Sequence, residues 1–433
     1  MTSSSIGAGG PITKTAAPRA PAGPGRLPSL TGMRFLCAAM VFGMHAALLQ
    51  FFTSTDTGNK FIAIAVQGGY TGVVYFFILS GFVLTWSARS GDRLAAFWRR
   101  RVVKIYPNYL LALIAGMVVT VFIQGMVFNR RTAVLDLLLV QSWSPNLLTR
   151  SAYNGPLWSL SCEALFYLSF PLLLRLVDRV RPERLWNLVG VLVVGIFAVP
   201  VVAHALPSSG PPVFGLTATE SWLVNQLPAT RMLEFVLGIV MARIVLTGRR
   251  LPLGLGGGVA LAMAAYWLAS YVPVQYTVVA IMVVPLCLVI AAAAVQDEAG
   301  RPSLVSNRVW VWLGEVSFAF YLLHFPVLST AKYLLHGRTL GTWTGIGLMV
   351  ALFALTTVLA ALQHMFVERP MMKHFSRSRR DRDAAAAERA AAAASAATQL
   401  PAEPALAEGT LQPALAEDGP DDGRWDPPER RAA

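Results

Sequence analysis

Ionisable side chains are scarce in this 433-residue chain: Asp, Glu, Lys and Arg together make up 14%, against 55% hydrophobic residues, and the mean hydropathy is +0.54. That is too little charge to cover a soluble domain of this length, so the apolar excess is expected to face lipid. Cysteine is scarcer still. Cys37, Cys162 and Cys287 all lie inside apolar runs, which argues against a disulfide framework or a zinc-type spacing. Lysine is nearly absent, five residues against 31 arginines, and 23 acids leave a net charge of +13. In a soluble protein that excess would suggest nucleic acid. Here the bases gather in alternate loops, the positive-inside pattern of a multi-pass membrane protein rather than a nucleic-acid footprint.

What the chain has in quantity is long apolar runs. Ten of them read as helices, at about 30–52, 66–87, 105–127, 154–176, 186–205, 229–248, 252–271, 275–295, 309–330 and 343–366. The expected fold is therefore all-α: a polytopic integral membrane protein of about ten transmembrane helices. Asn154-Gly155-Pro156 is expected to start the fourth helix, with Asn as N-cap and Pro in the first turn. Counting Lys and Arg in the loops, up to Arg382, places 23 on one side with the amino-terminal arm and 6 on the other. Both termini are accordingly expected in the cytoplasm of a cell, with the chain in the plasma membrane. Residues 1–28 read as a disordered cytoplasmic arm rather than a signal peptide, 29–375 as the transmembrane domain, and 376–433 as a disordered Ala/Pro/Glu-rich tail with no appended soluble catalytic domain.

Within this apolar background the ionisable residues are functional candidates by default. Arg34 and His45 sit eleven residues apart in the first helix, on nearly one face and separated by about 16 Å along the axis. Ser159, Glu163 and Tyr167 recur every four residues as a polar stripe. A carboxylate at that depth needs a partner, and a buried histidine on another helix would suit it. Arg99, Arg100, Arg101 and Lys104 form a basic inner rim able to hold phosphates. Ser317, Tyr321 and His324 share a face of the ninth helix, whereas Arg231 and Glu234, three residues apart, are expected to neutralise each other.

Five stretches taken together carry a family likeness. Arg34 with His45, Phe76-Phe-Ile-Leu-Ser-Gly-Phe-Val-Leu84, Arg100-Arg-Val-Val-Lys-Ile-Tyr-Pro107, Gly155-Pro-Leu-Trp-Ser-Leu-Ser-Cys-Glu163 and Leu313-Gly-Glu-Val-Ser-Phe-Ala-Phe-Tyr-Leu-Leu-His324 resemble the acyltransferase-3 family, integral membrane O-acyltransferases that modify sugars. The resemblance implies an acyl-CoA donor taken from the cytoplasm as co-substrate, a hydroxyl acceptor, and essential roles for Arg34 and His45. One departure is Lys104, where the family more often has Arg; the charge is kept and the bidentate geometry lost.

Acyl transfer from a thioester needs a base for the acceptor hydroxyl, and His45 is the expected one, with Glu163 and Arg34 completing the catalytic group. Arg99, Arg100, Arg101 and Lys104 are expected to anchor acyl-CoA. Trp158, Ser159, Tyr167, Ser317, Tyr321 and His324 are expected to bind the acceptor, and no metal is expected. The acceptor is expected to contain sugar, either a glycosylated natural product such as a macrolide or a cell-surface glycan. The Lys-poor composition leans toward the former. A multi-helix exporter is the alternative class, although the two halves show no similarity and no paired broken helices.

Overall fold

The computed structural model describes residues 25–88, 91–208, 212, 215–375, 387, 390 and 391. The expected arm and tail fall almost wholly outside these residues, as does Arg89 of the basic loop. Among the described residues there are helices and no β-strand, with an isolated bridge between Phe52 and Leu340.

Ten long helices form the body: α1 (Pro28–Leu48), α2 (Thr55–Trp86), α3 (Leu94–Met117), α4 (Trp158–Asp178), α5 (Leu185–Ala205), α6 (Pro228–Leu246), α7 (Leu255–Leu268), α8 (Val283–Glu298), α9 (Arg308–Leu334) and α10 (Thr342–Gln363). Eight stretches of the described residues are long and apolar enough to cross a bilayer. The two of the ten that fall short do so for separate reasons. The stretch Leu255–Tyr271 is short, and α6 carries Arg231, Glu234 and Arg243.

Several boundaries differ from the hydropathic reading, each for a local reason. The second helix begins at Thr55, because Ser54 accepts from the Thr57 amide at 3.2 Å and Asp56 pairs with Lys60 at 2.7 Å, so an apparent polar loop is a capped first turn. The third begins at Leu94, which puts Arg99 to Lys104 on a helix rather than in a loop. The run expected at 275–295 is interrupted between Val279 and Val283, ahead of Pro285. Asn154 precedes the 3-10 turn Gly155–Leu157, but its side chain caps nothing. Instead its amide donates to the carbonyls of Leu322 at 3.0 Å and Ala112 at 3.4 Å, tying α9 to α3.

The bundle is organised around α2, which packs on α1 along one side and α6 along another. Small residues permit the closest crossing. A Cβ on Gly81 would overlap the Phe235 carbonyl, and one on Gly238 would overlap the Ile78 carbonyl, so these two helices meet backbone to backbone. Phe77, Phe166 and Phe235 fill the angle between α2, α4 and α6, with ring centroids 5.1 Å and 4.7 Å apart. Behind them Arg231 and Glu234 lie 2.9 Å apart at 1% exposure, with the guanidinium 4.9 Å from the Phe77 ring. The two charges meet as an ion pair without the alignment of a hydrogen bond. The helix α9 lies against α1, with Gly314 under the Thr31 carbonyl and His324 beside His45.

Candidate active site

Four cavities follow one another along α2, and each shares wall residues with the next. The first, about 520 Å³, lies at the carboxyl end of α2 between Leu84, Arg100, Arg101, Arg175 and Asp178. Leu84 and Arg101 also line the second, where Arg34, Ser80, Lys104, Glu163 and Tyr167 converge. Arg34, Phe76 and Glu163 continue into a narrow neck of about 50 Å³ with Val73, Ser159, Ser317 and Tyr321. Val73 and Tyr321 lead on into a vestibule of about 270 Å³ that holds His45, Tyr70, Arg150, Trp158, Gln226 and Phe325. From Ser87, just past the end of α2, to Tyr70 the series spans a rise of seventeen residues. That is about 26 Å of helix, close to the roughly 30 Å of a hydrocarbon core.

The second cavity is a charged chamber. Arg34 from α1, Arg101 and Lys104 from α3 and Glu163 from α4 all face it, three cations against one carboxylate. Arg101 and Lys104 share a face because they are three residues apart on a helix. Excess positive charge held away from bulk water is costly unless an anion meets it, so the chamber could take an anionic ligand. Of the other two basic residues expected to anchor the donor, Arg100 lines the first cavity and is paired with Asp92, while Arg99 lines neither.

Glu163 does not pair with His45. Its Oε2 accepts from the Tyr167 hydroxyl at 2.9 Å, and the Ser80 hydroxyl lies 3.4 Å from that of Tyr167. The reason is depth: Trp158, not Glu163, shares the vestibule with His45, and five residues of α4 put Glu163 about 7.5 Å nearer the basic end. The i, i+4 stripe is real, but its members serve different places. Ser159 bridges to Tyr321, hydroxyl to hydroxyl, at 2.7 Å, and both lie within 3.1 Å of the Pro156 carbonyl, so together they shape the neck. Ser317 lines the neck and donates to the Gly314 carbonyl at 2.7 Å.

The partner of His45 is His324. His45 Nδ1 lies 3.0 Å from the Val41 carbonyl and 3.1 Å from His324 Nε2, and His324 Nδ1 lies 2.6 Å from the Tyr321 carbonyl. One proton arrangement satisfies all three contacts. Each histidine carries its proton on Nδ1; that of His324 goes to Tyr321, and that of His45 is shared between Val41 and the Nε2 lone pair of His324. The reverse tautomers would set two ring lone pairs against carbonyl oxygens. The result leaves His45 Nε2 unprotonated, with no hydrogen bond to any described residue, on a ring that faces the vestibule. His324, expected in the acceptor pocket, is fully buried and touches His45 instead.

The vestibule also holds a residue that the sequence marked only as a loop charge. Arg150 is 1% exposed; its Nε donates to Gln226 Oε1 at 2.6 Å and its Nη1 to the Pro145 carbonyl at 2.7 Å. Burial draws its guanidinium down to about 10, so it stays charged at neutral pH. Arg175, near the end of the fourth apolar run, lines the first cavity. No local pattern separates Arg150 from exposed loop arginines, since its partner Gln226 is 76 residues away, whereas Arg175 is itself exposed and meets the cavity from the end of α4. Among the described residues no cluster of His, Cys, Asp and Glu could hold a metal ion.

A polytopic helical bundle with a histidine pair, a cationic chamber and a narrow neck between them has the form of a multi-pass membrane protein with a candidate active site among its helices. Residues 27–364 match the acyltransferase-3 family, described as an acyltransferase domain, and the chain belongs to that family. It is 41% identical over 365 residues to acyltransferase MdmB of Streptomyces mycarofaciens, covering 82% of this chain and 94% of that protein. It is 23% identical over 378 residues to the peptidoglycan O-acetyltransferase OatA of Listeria monocytogenes, covering 80% and 56%. With the O-acetyltransferase OatA of Staphylococcus aureus the figures are 22% over 328 residues, 71% and 53%. The chain therefore spans little more than half the length of these two OatA proteins. No solved structure matches it. The protein is a membrane O-acyltransferase.

Proposed function

We propose that this enzyme transfers an acetyl or other short acyl group from acyl-CoA to a hydroxyl of a sugar-containing acceptor, with the donor entering at the basic end and the acceptor at the vestibule. The observation that carries the reading is the order of the cavities. An arginine-lined entrance leads to a chamber with excess positive charge, which adjoins through one neck a cavity holding an unprotonated imidazole nitrogen. Acyl-CoA has the matching form: anionic phosphates on a long thin arm that ends in a thioester.

In this reading Arg100, Arg101 and Arg175 hold the phosphates, and the pantetheine arm passes Lys104 toward the neck. His45 Nε2 takes the proton of the acceptor hydroxyl as its oxygen bonds to the thioester carbonyl carbon. The C–S bond then breaks, and the CoA thiolate leaves with the proton returned by the imidazolium. The products are an ester and free CoA. Arg34 and Lys104, on the donor side of the neck, stabilise the negative charge that develops on oxygen and sulfur. Glu163, held by Tyr167, sets the charge balance of the chamber rather than orienting His45.

We further assign the basic end and both termini to the cytoplasm of the plasma membrane, on the strength of the loop arginines. The acceptor is a glycosylated natural product or a surface glycan. The test follows free CoA released from acetyl-CoA by washed membranes, with an extract of the producing cells as acceptor. The wild type is expected to release CoA and His45→Ala to lose about 100-fold or more of the rate, the usual scale of general base catalysis. Equal release from both would remove His45 from the mechanism.

A further inference from the structure

A fifth cavity branches sideways from the site and has no part in the chemistry above. It lies between α3 and α4 as an open groove of about 340 Å³, walled by Val102, Ile105, Leu139, Leu160, Ala164 and Leu168, of which Val102 and Leu168 are exposed. Its few polar groups include Arg101 and Tyr167, which with Ile105 also line the charged chamber, and Leu160 also lines the neck. The cavity thus adjoins the path at the place where a thioester has to wait for the acceptor. The neck itself, at about 50 Å³, has no room for a hydrocarbon chain.

We infer that this side cavity receives the acyl chain of the donor, and that the enzyme prefers acyl groups of several carbons to acetyl. The inference rests on the acyl-CoA reading above and specifies its donor. Arg101 and Tyr167 stand at the junction, and apolar side chains with Tyr106, whose hydroxyl donates to the Leu137 carbonyl, line the rest, the order in which a thioester carbonyl and its alkyl tail would meet them. Each methylene taken from water into such a site raises affinity by about fourfold. Ala164 keeps the space open, and Val102, 58% exposed, stands at its outer edge. A bilayer lipid chain is the competing occupant of the same hydrocarbon-lined space.

The test measures equilibrium binding of acetyl-CoA and hexanoyl-CoA to the full chain in detergent, for wild type and Ala164→Leu. Wild type is expected to bind hexanoyl-CoA at least about tenfold more tightly than acetyl-CoA. Ala164→Leu is expected to lose that advantage with acetyl-CoA affinity unchanged. Should Ala164→Leu fail to fold, Val102→Trp at the exposed edge is expected to give the same result. Equal affinity of the wild type for both donors, or a chain-length preference that survives the folded variant, overturns the assignment and leaves the cavity to lipid. Absence of binding by either acyl-CoA overturns the donor reading, and the side-cavity assignment with it.

Discussion

His45 Nε2 keeps its lone pair because the proton sits on Nδ1, where the Val41 carbonyl and His324, 279 positions away, both meet it. The sequence marks His45 and Arg34 because ionisable groups in an apolar run are conspicuous. It marks His324 as sharing a face with Ser317 and Tyr321, but not as the partner of His45, because the pairing exists only once α9 lies along α1. Glu163 is a different case: its partner Tyr167 lies one turn along its own helix, where the four-residue stripe had already put the two on one face. The placement of His324 carries a direct consequence. His324→Leu removes one of two acceptors for the His45 proton and leaves the Val41 carbonyl, so a partial loss is expected: about 10- to 100-fold in kcat, with the acyl-CoA KM unchanged. Steady-state kinetics check this. An effect confined to the acceptor KM would instead return His324 to acceptor binding.

Among the elements, hydropathy found every long helix of the described residues and misplaced some of the ends, including the one that lines the charged chamber. The Arg99–Lys104 run lowers the apolar score of α3 enough to read as a loop, yet only a helix puts Arg101 and Lys104 on one face of the chamber. In α6 the charges read as a mutually neutralising pair, and their burial at 1% exposure against Phe77 became visible only in the packed bundle. A buried pair of this kind is expected to be costly to break and cheap to replace. Glu234→Gln alone strands the guanidinium and is expected to destabilise the protein by about 3–5 kcal/mol. The double replacement Arg231→Met with Glu234→Leu is expected to lie within about 1 kcal/mol of wild type, or above it. Thermal unfolding in detergent measures both, and a double variant as unstable as the single would refute the account of α6.

On the scale of the whole molecule, composition and loop charge were enough to reveal an all-α membrane protein, and five short motifs were enough to suggest its family. The order of the cavities was not legible, because each takes its walls from three or more helices that are distant in sequence. That order is the central claim: donor at the basic end, acceptor at the other, and one neck between them. The most direct measurement supplies radiolabelled acetyl-CoA to sealed membrane vesicles of known sidedness, with acceptor on both sides. Inverted vesicles, whose cytoplasmic face is outward, are expected to form labelled ester, and right-side-out vesicles to form it only after permeabilisation. Label transferred by intact right-side-out vesicles, with none added on permeabilisation, would contradict the account.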